Sequence, residues 1–195
     1  MKNGKKILAL LLCAVLLIIT SVAGTIAYLT DDVTVKNTFT VGNVSITMVE
    51  SLVDEYGNVT SGTTNQGNSY KLIPGHSYTK DPTIKVSENS EDCYIFVMIE
   101  NGLGSDATLP MNDGWAEVSK DGNTYIWVYG TTEDPKAVSA NDNAVVPFST
   151  FTFGQDADPE SYKDSSINVT AYAIQTDTLN SKTAAELWAL LNPLS

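Results

Sequence analysis

The sequence has no arginine and very little histidine or cysteine. Among its 195 residues are 11 lysines, one histidine and two cysteines, against 23 aspartates and glutamates, and the formal net charge is −12. Nucleic acids and anionic lipid surfaces are bound through clustered lysine and arginine side chains. The composition therefore excludes nucleic acid as an expected partner, and it excludes docking on an anionic membrane surface.

The scarcity of cysteine limits covalent cross-linking. Cys13 lies within an apolar N-terminal run, and Cys93 opens the most apolar internal segment. If the N-terminal run is removed, Cys93 alone remains, and no disulfide within the chain is possible. Leu12, before Cys13, is not the small residue that a lipoprotein signal has, so lipidation is not expected. We expect Cys93 to act as a small buried hydrophobic residue.

The single histidine argues against a zinc peptidase. A zincin needs two histidines one helical turn apart with a glutamate base, and the sequence has no such motif. His76 sits in a Pro-Gly-His-Ser turn, where we expect a solvated polar side chain. A G-x-S-x-G nucleophile elbow is missing as well. A pair of His76 with Cys93 would need an accessible thiol, so we expect a protein that is not an enzyme.

The N-terminus has the parts of a secretory signal peptide. Lysines precede an apolar run at residues 7–19, and small residues follow that run. Cleavage after Ala27 would have Thr25 at position −3 and would leave Tyr28 as the new N-terminus. Cleavage after Ala23 fits the composition equally well. The uncharged stretch is long enough to cross a bilayer, so a membrane anchor is the alternative to a cleaved signal.

Seven motifs follow one another along the chain. They are G-T-I-A-Y-L-T-D at residues 24–31, N-T-F-T-V-G-N-V-S-I at 37–46, K-L-I-P-G at 71–75, K-D-P at 80–82, S-E-D-C-Y at 90–94, A-Y-A-I-Q at 171–175 and A-A-E-L-W at 184–188. In this order they resemble the TasA/camelysin group. Members of that group are secreted biofilm-matrix proteins of Gram-positive bacteria, and they are processed by a SipW-type signal peptidase.

The resemblance implies a fold, a location and partners. The implied fold is a jelly-roll-like β-sandwich, and the implied role is a matrix or filament subunit in the extracellular matrix or at the cell surface. The group is cleaved at the position that corresponds to Ala27 and Tyr28. The expected partners are a SipW-type signal peptidase and either other copies of this chain or related matrix subunits. The membrane is expected to be contacted only through the uncleaved signal.

The rest of the chain predicts one all-β domain. After residue 32, short β-type runs alternate with turn clusters, which is typical of an antiparallel sandwich. Residues 93–99 are apolar on both faces and predict a central strand. Thr183 and Glu186 have capping-box spacing at the start of a predicted helix over residues 183–192. Further predictions are strands at 44–48, 83–86, 145–153 and 167–175, a hairpin of 115–119 with 124–129, and loops at 60–69 and 101–114.

These elements divide the chain into three parts. Residues 1–27 form a signal helix, and residues 28–40 form an N-terminal arm. Residues 41–195 form the jelly-roll-like antiparallel β-sandwich, which ends with the one short helix. The sequence shows no internal repeat that would indicate a second domain.

The arm has the imperfect period-two pattern of a strand with one buried face. Its apolar positions are Tyr28, Leu29, Val33, Val35 and Phe39, and Asp31 and Asn37 interrupt the alternation. We expect this strand, once cleavage releases it, to complete the open sheet edge of the next copy and to form filaments by donor-strand exchange. The alternatives are an arm that folds back on its own subunit and an arm that stays disordered.

Two acidic loops are weak calcium candidates. Asp156, Asp158 and Glu160 alternate along one loop, and residues 141–143 read Asn-Asp-Asn. Calcium takes six to eight oxygen ligands, and the glycine and distal glutamate of an EF-hand loop are missing here. A solvated acidic loop is the simpler interpretation, and calcium is the single cofactor that the sequence leaves open.

Three aromatic residues recur on one face of the predicted hairpin, namely Tyr125, Trp127 and Tyr129. If exposed, they would stack on sugar rings and indicate a cell-wall- or carbohydrate-binding module; if packed, they would belong to the core. The order of the motifs and the missing catalytic residues favour an extracellular structural subunit. The carbohydrate-binding module is the alternative, and a camelysin-like peptidase comes third.

Overall fold

The computed structural model describes residues 30–34, 37–39 and 44–191, with side chains from Val44 onward. The predicted signal helix at residues 1–27 lies outside this part of the chain. The described residues form antiparallel β-sheets in a sandwich-like arrangement with one short C-terminal helix, which confirms the predicted fold class. None of the helices described is long and apolar enough to cross a bilayer.

The described strands, in chain order, are β1 (Thr30–Thr34), β2 (Asn37–Phe39), β3 (Ile46–Val53), β4 (Val59–Thr64), β5 (Ser77–Thr79), β6 (Thr83–Val86), β7 (Cys93–Asn101), β8 (Ala107–Thr108), β9 (Trp115–Asp121), β10 (Thr124–Tyr129), β11 (Ala137–Val138), β12 (Thr150–Phe153) and β13 (Ile167–Gln175). The helix is α1 (Ala184–Leu191), and short 3-10 turns lie at Gly104–Asp106 and Pro159–Tyr162.

The largest sheet has the strand order β2-β1-β13-β7-β10-β9, and β11 pairs with the start of β7. At its centre β7 and β13 pair antiparallel over their whole length, from Ile167 opposite Asn101 to Gln175 opposite Cys93. Side chains of β7 are buried on both faces, which confirms the central strand predicted from the sequence. β9 and β10 form the predicted hairpin, and Gly122 in its two-residue loop has a φ of +56°.

The main core lies between this sheet and a smaller one of order β4-β3-β6. Apolar residues alternate with polar ones along β3, so Ile46 and Met48 face inward while Thr47 is exposed. The buried residues that meet here include Val44, Ile46 and Met48 around β3, Ile84 and Val86 of β6, Cys93, Ile95, Val97 and Ile99 of β7, and Val169, Ala171 and Ala173 of β13.

The opposite face of the large sheet is covered by α1. Leu187 of the helix is fully buried against the sheet, and the Trp188 ring lies 5.7 Å from Phe96 and 5.1 Å from Tyr172. The predicted capping box is confirmed: the Glu186 carboxylate accepts from the Thr183 N–H over 2.9 Å, and the Thr183 hydroxyl accepts from the Glu186 N–H over 3.4 Å. The helix occupies positions 184–191 of the predicted 183–192, and residue 192 lies outside the described part.

A third sheet, of order β5-β12-β8, has its own apolar cluster. Tyr78 stacks on Phe151 with ring centroids 4.9 Å apart, and Phe153 is fully buried beside them. The Tyr78 hydroxyl accepts from the Ile73 N–H and donates to the Lys71 carbonyl oxygen, both over 2.7 Å. These two bonds hold the loop between β4 and β5 against the sheet.

Three predicted segments differ from the structure. Residues 60–64 of the predicted loop at 60–69 belong to β4 (Val59–Thr64). β3 supplies the backbone partners for this exposed strand, which has no apolar alternation to reveal it. The predicted loop at 101–114 contains a 3-10 turn and β8. The strand predicted at 145–153 is regular only in β12, since Pro147 has no N–H to donate and Val145 makes a single bridge to Ile84.

Candidate functional site

A cleft of about 1050 Å³ opens between the third sheet, the start of β13 and the loop at residues 66–72. One wall comes from residues 167–170 of β13, and the other from the loop after β4. Phe151 and Leu103 contribute apolar surface, whereas Glu50 and Lys80 contribute charge. This combination of apolar lining with a few polar groups is typical of a binding site.

A buried ion pair lies in this cleft. The Lys80 ammonium donates to Glu50 Oε1 over 2.7 Å, and the two side chains are only 8% and 3% exposed. Glu50 is placed here by the alternation of β3, because it follows Ile46 and Met48 on the inward face. Lys80 follows β5 directly, and its backbone N–H donates to the Ser149 carbonyl oxygen over 3.1 Å.

Asn68 fastens the loop wall of the cleft to β3. Its amide nitrogen donates to the Ser51 carbonyl oxygen over 3.0 Å and to Glu50 Oε2 over 3.5 Å. Its amide oxygen accepts from the Val53 N–H over 3.2 Å. Three contacts of Asn68 therefore hold this end of the predicted loop at 60–69 against β3.

Asp81, next to Lys80, also bonds to β3. Its carboxylate accepts from the Ser51 N–H over 2.8 Å and from the Ser51 hydroxyl over 2.6 Å. Two residues of the K-D-P motif thus bond to two neighbouring residues of β3, with Lys80 on Glu50 and Asp81 on Ser51. The motif is a local sequence feature whose partners lie 30 residues earlier in the chain.

Tyr70 also lines the cleft. Its hydroxyl donates to the Thr79 carbonyl oxygen over 2.9 Å, and its ring lies edge-on to Tyr78 at 5.5 Å and to Phe151 at 5.1 Å. Burial raises the pKa of Tyr70, and the negative charge of Glu50 raises it further. The phenol therefore stays neutral at ordinary pH and acts as a donor rather than as a base.

The cleft runs along an open stretch of sheet edge. β1 pairs with β13 only from Thr30 opposite Ile174 to Thr34 opposite Thr170. Residues 167–169 of β13 therefore have no strand partner on that side among the described residues. Unpaired N–H and C=O groups on a strand edge are a template for another strand. The sequence does not reveal this feature, because it depends on where β1 ends relative to β13.

The N-terminal arm folds back on its own sheet in the single chain. β1 lies against β13 and β2 lies against β1, with Val33 opposite Ala171 and Phe39 opposite Asp32. This is the fold-back alternative, and it makes part of the expected separate arm a component of the large sheet. The other predicted processing and assembly residues, Thr25, Ala27, Tyr28, Leu29 and Val35, lie outside the described residues.

His76 lies in a turn, as predicted, and its side chain makes two contacts that the turn motif does not reveal. The ring is half-buried, Nε2 lies 2.9 Å from the Tyr56 carbonyl oxygen, and the ring centroid is 4.6 Å from that of Tyr78. The loop at residues 71–76 folds over Tyr78 and carries the histidine with it. His76 therefore joins two loops, and this contact could not be read from a turn motif alone.

The weak calcium candidates have local structural partners. Asp158 caps the 3-10 turn Pro159–Tyr162, accepting from the Glu160 N–H over 3.1 Å and from the Ser161 hydroxyl over 3.3 Å. Asp156 and Glu160 are exposed. Asp142 accepts from the Ser139 N–H over 2.8 Å, which lowers the pKa of Asp142. In the described part of the chain, no three Asp, Glu, His or Cys side chains form a group able to hold a metal.

The three aromatic residues of the hairpin pack against the main core. Tyr125, Trp127 and Tyr129 are half-buried against the main core, which confirms the packing interpretation. The Tyr129 ring lies 5.5 Å from that of the buried Trp115, and the Lys136 ammonium lies 5.4 Å from its centroid. Cys93 is fully buried in the same core, as predicted.

Comparison of the chain with family models, with curated proteins and with solved structures gave no match.

Proposed function

We propose that this protein is a secreted, non-enzymatic structural subunit of an extracellular matrix, similar to the TasA group, and that it assembles by donor-strand exchange after its signal is cleaved. The observation that carries the proposal is the half-filled edge of β13. The chain's own arm covers the edge from Thr170 to Ile174, and the cleft follows the remaining residues 167–169. A longer strand from a second copy would cover both parts.

The pairing register supports a longer strand. If a strand kept the register of β1 past Thr34, positions 35, 36 and 37 would come opposite Val169, Asn168 and Ile167. Facing residues of an antiparallel pair share one face of the sheet. Positions 33 and 35 would thus share the inward face of Ala171 and Val169, both buried in the main core. The apolar alternation of the arm at Leu29, Val33 and Val35 matches this face.

The arm cannot reach this register while it is folded back. In the single chain β2 pairs with β1, and Asn37 lies opposite Thr34, so the chain reverses direction after Thr34. Within the described part of the chain, the edge at residues 167–169 then has no strand beside it. Exchange would replace the short pairing with an extended one that covers the whole edge, and each arm would then lie on the next subunit. Such head-to-tail contacts give a filament rather than a closed dimer.

Processing would control the exchange. While the apolar run at residues 7–19 is attached, the arm is tethered at the membrane, and cleavage by a SipW-type signal peptidase would release it. The released subunits would associate with each other or with related matrix subunits at the cell surface. Assembly outside the cell is thus coupled to removal of the signal.

Electron microscopy of the chain beginning at Tyr28 tests the proposal. We expect filaments, and we expect Val35→Asp to prevent them because position 35 would place a carboxylate on the buried inward face. Lys36→Asp is the matched control, since position 36 would face outward opposite the exposed Asn168. Filaments of Val35→Asp as abundant as those of the parent, or none from the parent chain, would contradict donor-strand exchange.

A further inference from the structure

The ammonium group of Lys80 has few partners for its depth in the protein. A lysine carries three N–H donors. Among the described residues Glu50 Oε1 is the sole acceptor of Lys80, although the lysine side chain is only 8% exposed. Buried donors without acceptors are destabilising, so native proteins rarely leave them unpaired. The lysine lines the cleft, and the cleft is the space from which a further acceptor can approach.

The ion pair also limits the chemistry of that acceptor. Glu50 already balances the charge of Lys80, so a second carboxylate would leave a buried excess of negative charge. Among the described residues, Glu50 Oε2 has one long contact, 3.5 Å from the Asn68 amide nitrogen, and it can accept another hydrogen bond. A neutral group that both donates and accepts fits both partners. A primary amide has this combination, with its oxygen for Lys80 and its nitrogen for Glu50.

The arm carries a primary amide at the matching position. Asn37 interrupts the apolar alternation of the arm. In the extended register it would come opposite Ile167, on the inward face, and Ile167 lines the same cleft as Glu50 and Lys80. An asparagine on a buried face is costly unless its amide is hydrogen-bonded. Glu50 and Lys80, which line the same cleft, have the donor and acceptor groups that such an amide needs.

We propose that the side-chain amide of Asn37 in one copy's arm forms hydrogen bonds with Glu50 and Lys80 of the next copy. This contact fixes the register of the exchanged strand. The inference rests on the donor-strand function proposed above. In the folded-back chain Asn37 belongs to β2, which pairs with β1 on the side away from β13. The contact therefore exists only between copies. A slip of one residue would turn the amide to the other face of the sheet.

A double-mutant cycle on the chain beginning at Tyr28 tests the contact. The first change in the cycle is Asn37→Leu. The second is the paired change Glu50→Leu with Lys80→Met, which removes both charges together. The readout is the critical concentration for filament formation. In the chain that keeps Glu50 and Lys80, we expect Asn37→Leu to raise the critical concentration about tenfold, as loss of a hydrogen bond to a charged group does. In the chain with the paired change, called the apolar cleft below, Asn37→Leu should leave the critical concentration unchanged or lower it.

Two further variants complete the design. Thr38→Val, on the neighbouring outward position, is the matched control and should leave the critical concentration unchanged in both clefts. Asn37→Asp needs no change in the cleft, so it provides a test even if the paired variant does not fold. It should weaken assembly at least as much as Asn37→Leu, because it adds a carboxylate beside Glu50. The thermal unfolding of the unassembled chain should not respond to either Asn37 variant.

The outcomes separate the two proposals. Suppose that filaments form, but Asn37→Leu changes the critical concentration equally with and without the Glu50–Lys80 pair, or Asn37→Asp assembles like the parent. The proposed contact of Asn37 is then overturned, while strand exchange stands. If the parent chain forms no filaments at all, the proposed function fails and the contact fails with it.

Discussion

Lys80 donates a 2.7 Å hydrogen bond to Glu50 in the protein interior, although 30 residues separate them in the chain. The bond joins the segment between β5 and β6 to the inward face of β3. Asp81 repeats the connection one residue later by accepting two hydrogen bonds from Ser51. A buried ion pair is weak evidence for stability, because desolvation offsets the attraction between the charges. Both side chains line the cleft, which is why we propose that they contact Asn37 of a second copy.

Removal of one member of the pair should be far more harmful than removal of both. Lys80→Met leaves the Glu50 carboxylate buried without its counter-charge, and we expect a loss of about 3 to 5 kcal/mol in the free energy of unfolding. The paired change Glu50→Leu with Lys80→Met should recover most of this loss. Urea denaturation of the three chains measures the difference. Equal stability of the single and paired variants would show that the charges do not interact in the folded protein.

Tyr70 should contribute to a loss of stability at high pH. The folded state holds the phenolic proton more tightly than the unfolded state, whose tyrosine titrates near 10. The contribution is fully present below that pH and declines as the pH rises above it, because only the unfolded chain then releases its proton. Tyr70→Phe should therefore reduce the fall in stability between about pH 9 and pH 11. The remaining fall would include Tyr78 and Tyr94, since burial raises the pKa of both.

The Tyr70 experiment compares urea midpoints of the parent and variant across that pH range. At neutral pH the variant should be about 1 kcal/mol less stable, because the Thr79 carbonyl oxygen loses its donor. A variant whose stability falls as steeply as that of the parent would show that the Tyr70 phenol ionises as freely in the folded chain as in the unfolded one.

The capping box should stabilise α1 measurably. Thr183→Ala removes the side chain that bonds with the Glu186 carboxylate and the Glu186 N–H, and we expect a loss of about 1 kcal/mol. Lys182→Ala is the matched control. It removes a 3.8 Å surface ion pair with the same glutamate and should cost less than about 0.5 kcal/mol. Thermal unfolding distinguishes them, and a larger effect of the lysine change would contradict the role given to the cap.

His76 should matter to stability rather than to catalysis. His76→Ala removes a bond to the Tyr56 carbonyl oxygen and an edge contact with Tyr78, so we expect a loss of about 1 kcal/mol. His76→Phe keeps the ring contact and should lose less. Thermal unfolding measures both variants, and a peptidase assay accompanies it. A peptidase activity that disappears with His76→Ala while the fold stays intact would refute the structural function.

Signal processing can be tested directly. We expect secreted protein to begin at Tyr28, because Thr25 and Ala27 are small residues at the positions that a signal peptidase reads. N-terminal sequencing of the released protein decides the point. A start at Gly24 would indicate cleavage after Ala23, and a chain that keeps its N-terminus would indicate a membrane anchor.

Local patterns in the sequence determined much of the fold. The apolar run at residues 93–99 predicts a strand buried on both faces, and β7 lies at the centre of the large sheet. The start of α1 follows from Thr183 and Glu186, which bond to each other across three residues. Such features are readable because the interacting groups are close in the chain or repeat with the period of the strand or helix.

The tertiary structure alone decided the site. β4 has no apolar alternation, and it is a strand because β3 lies beside it. The cleft is lined by the start of β13, three residues of which extend beyond the position opposite Thr34 of β1. In the sequence, Asn37, Glu50 and Lys80 are polar residues of three separate segments, and no local pattern connects them. Strand pairing brings distant parts of the chain together, so only the assembled sheets show which of these residues share a space.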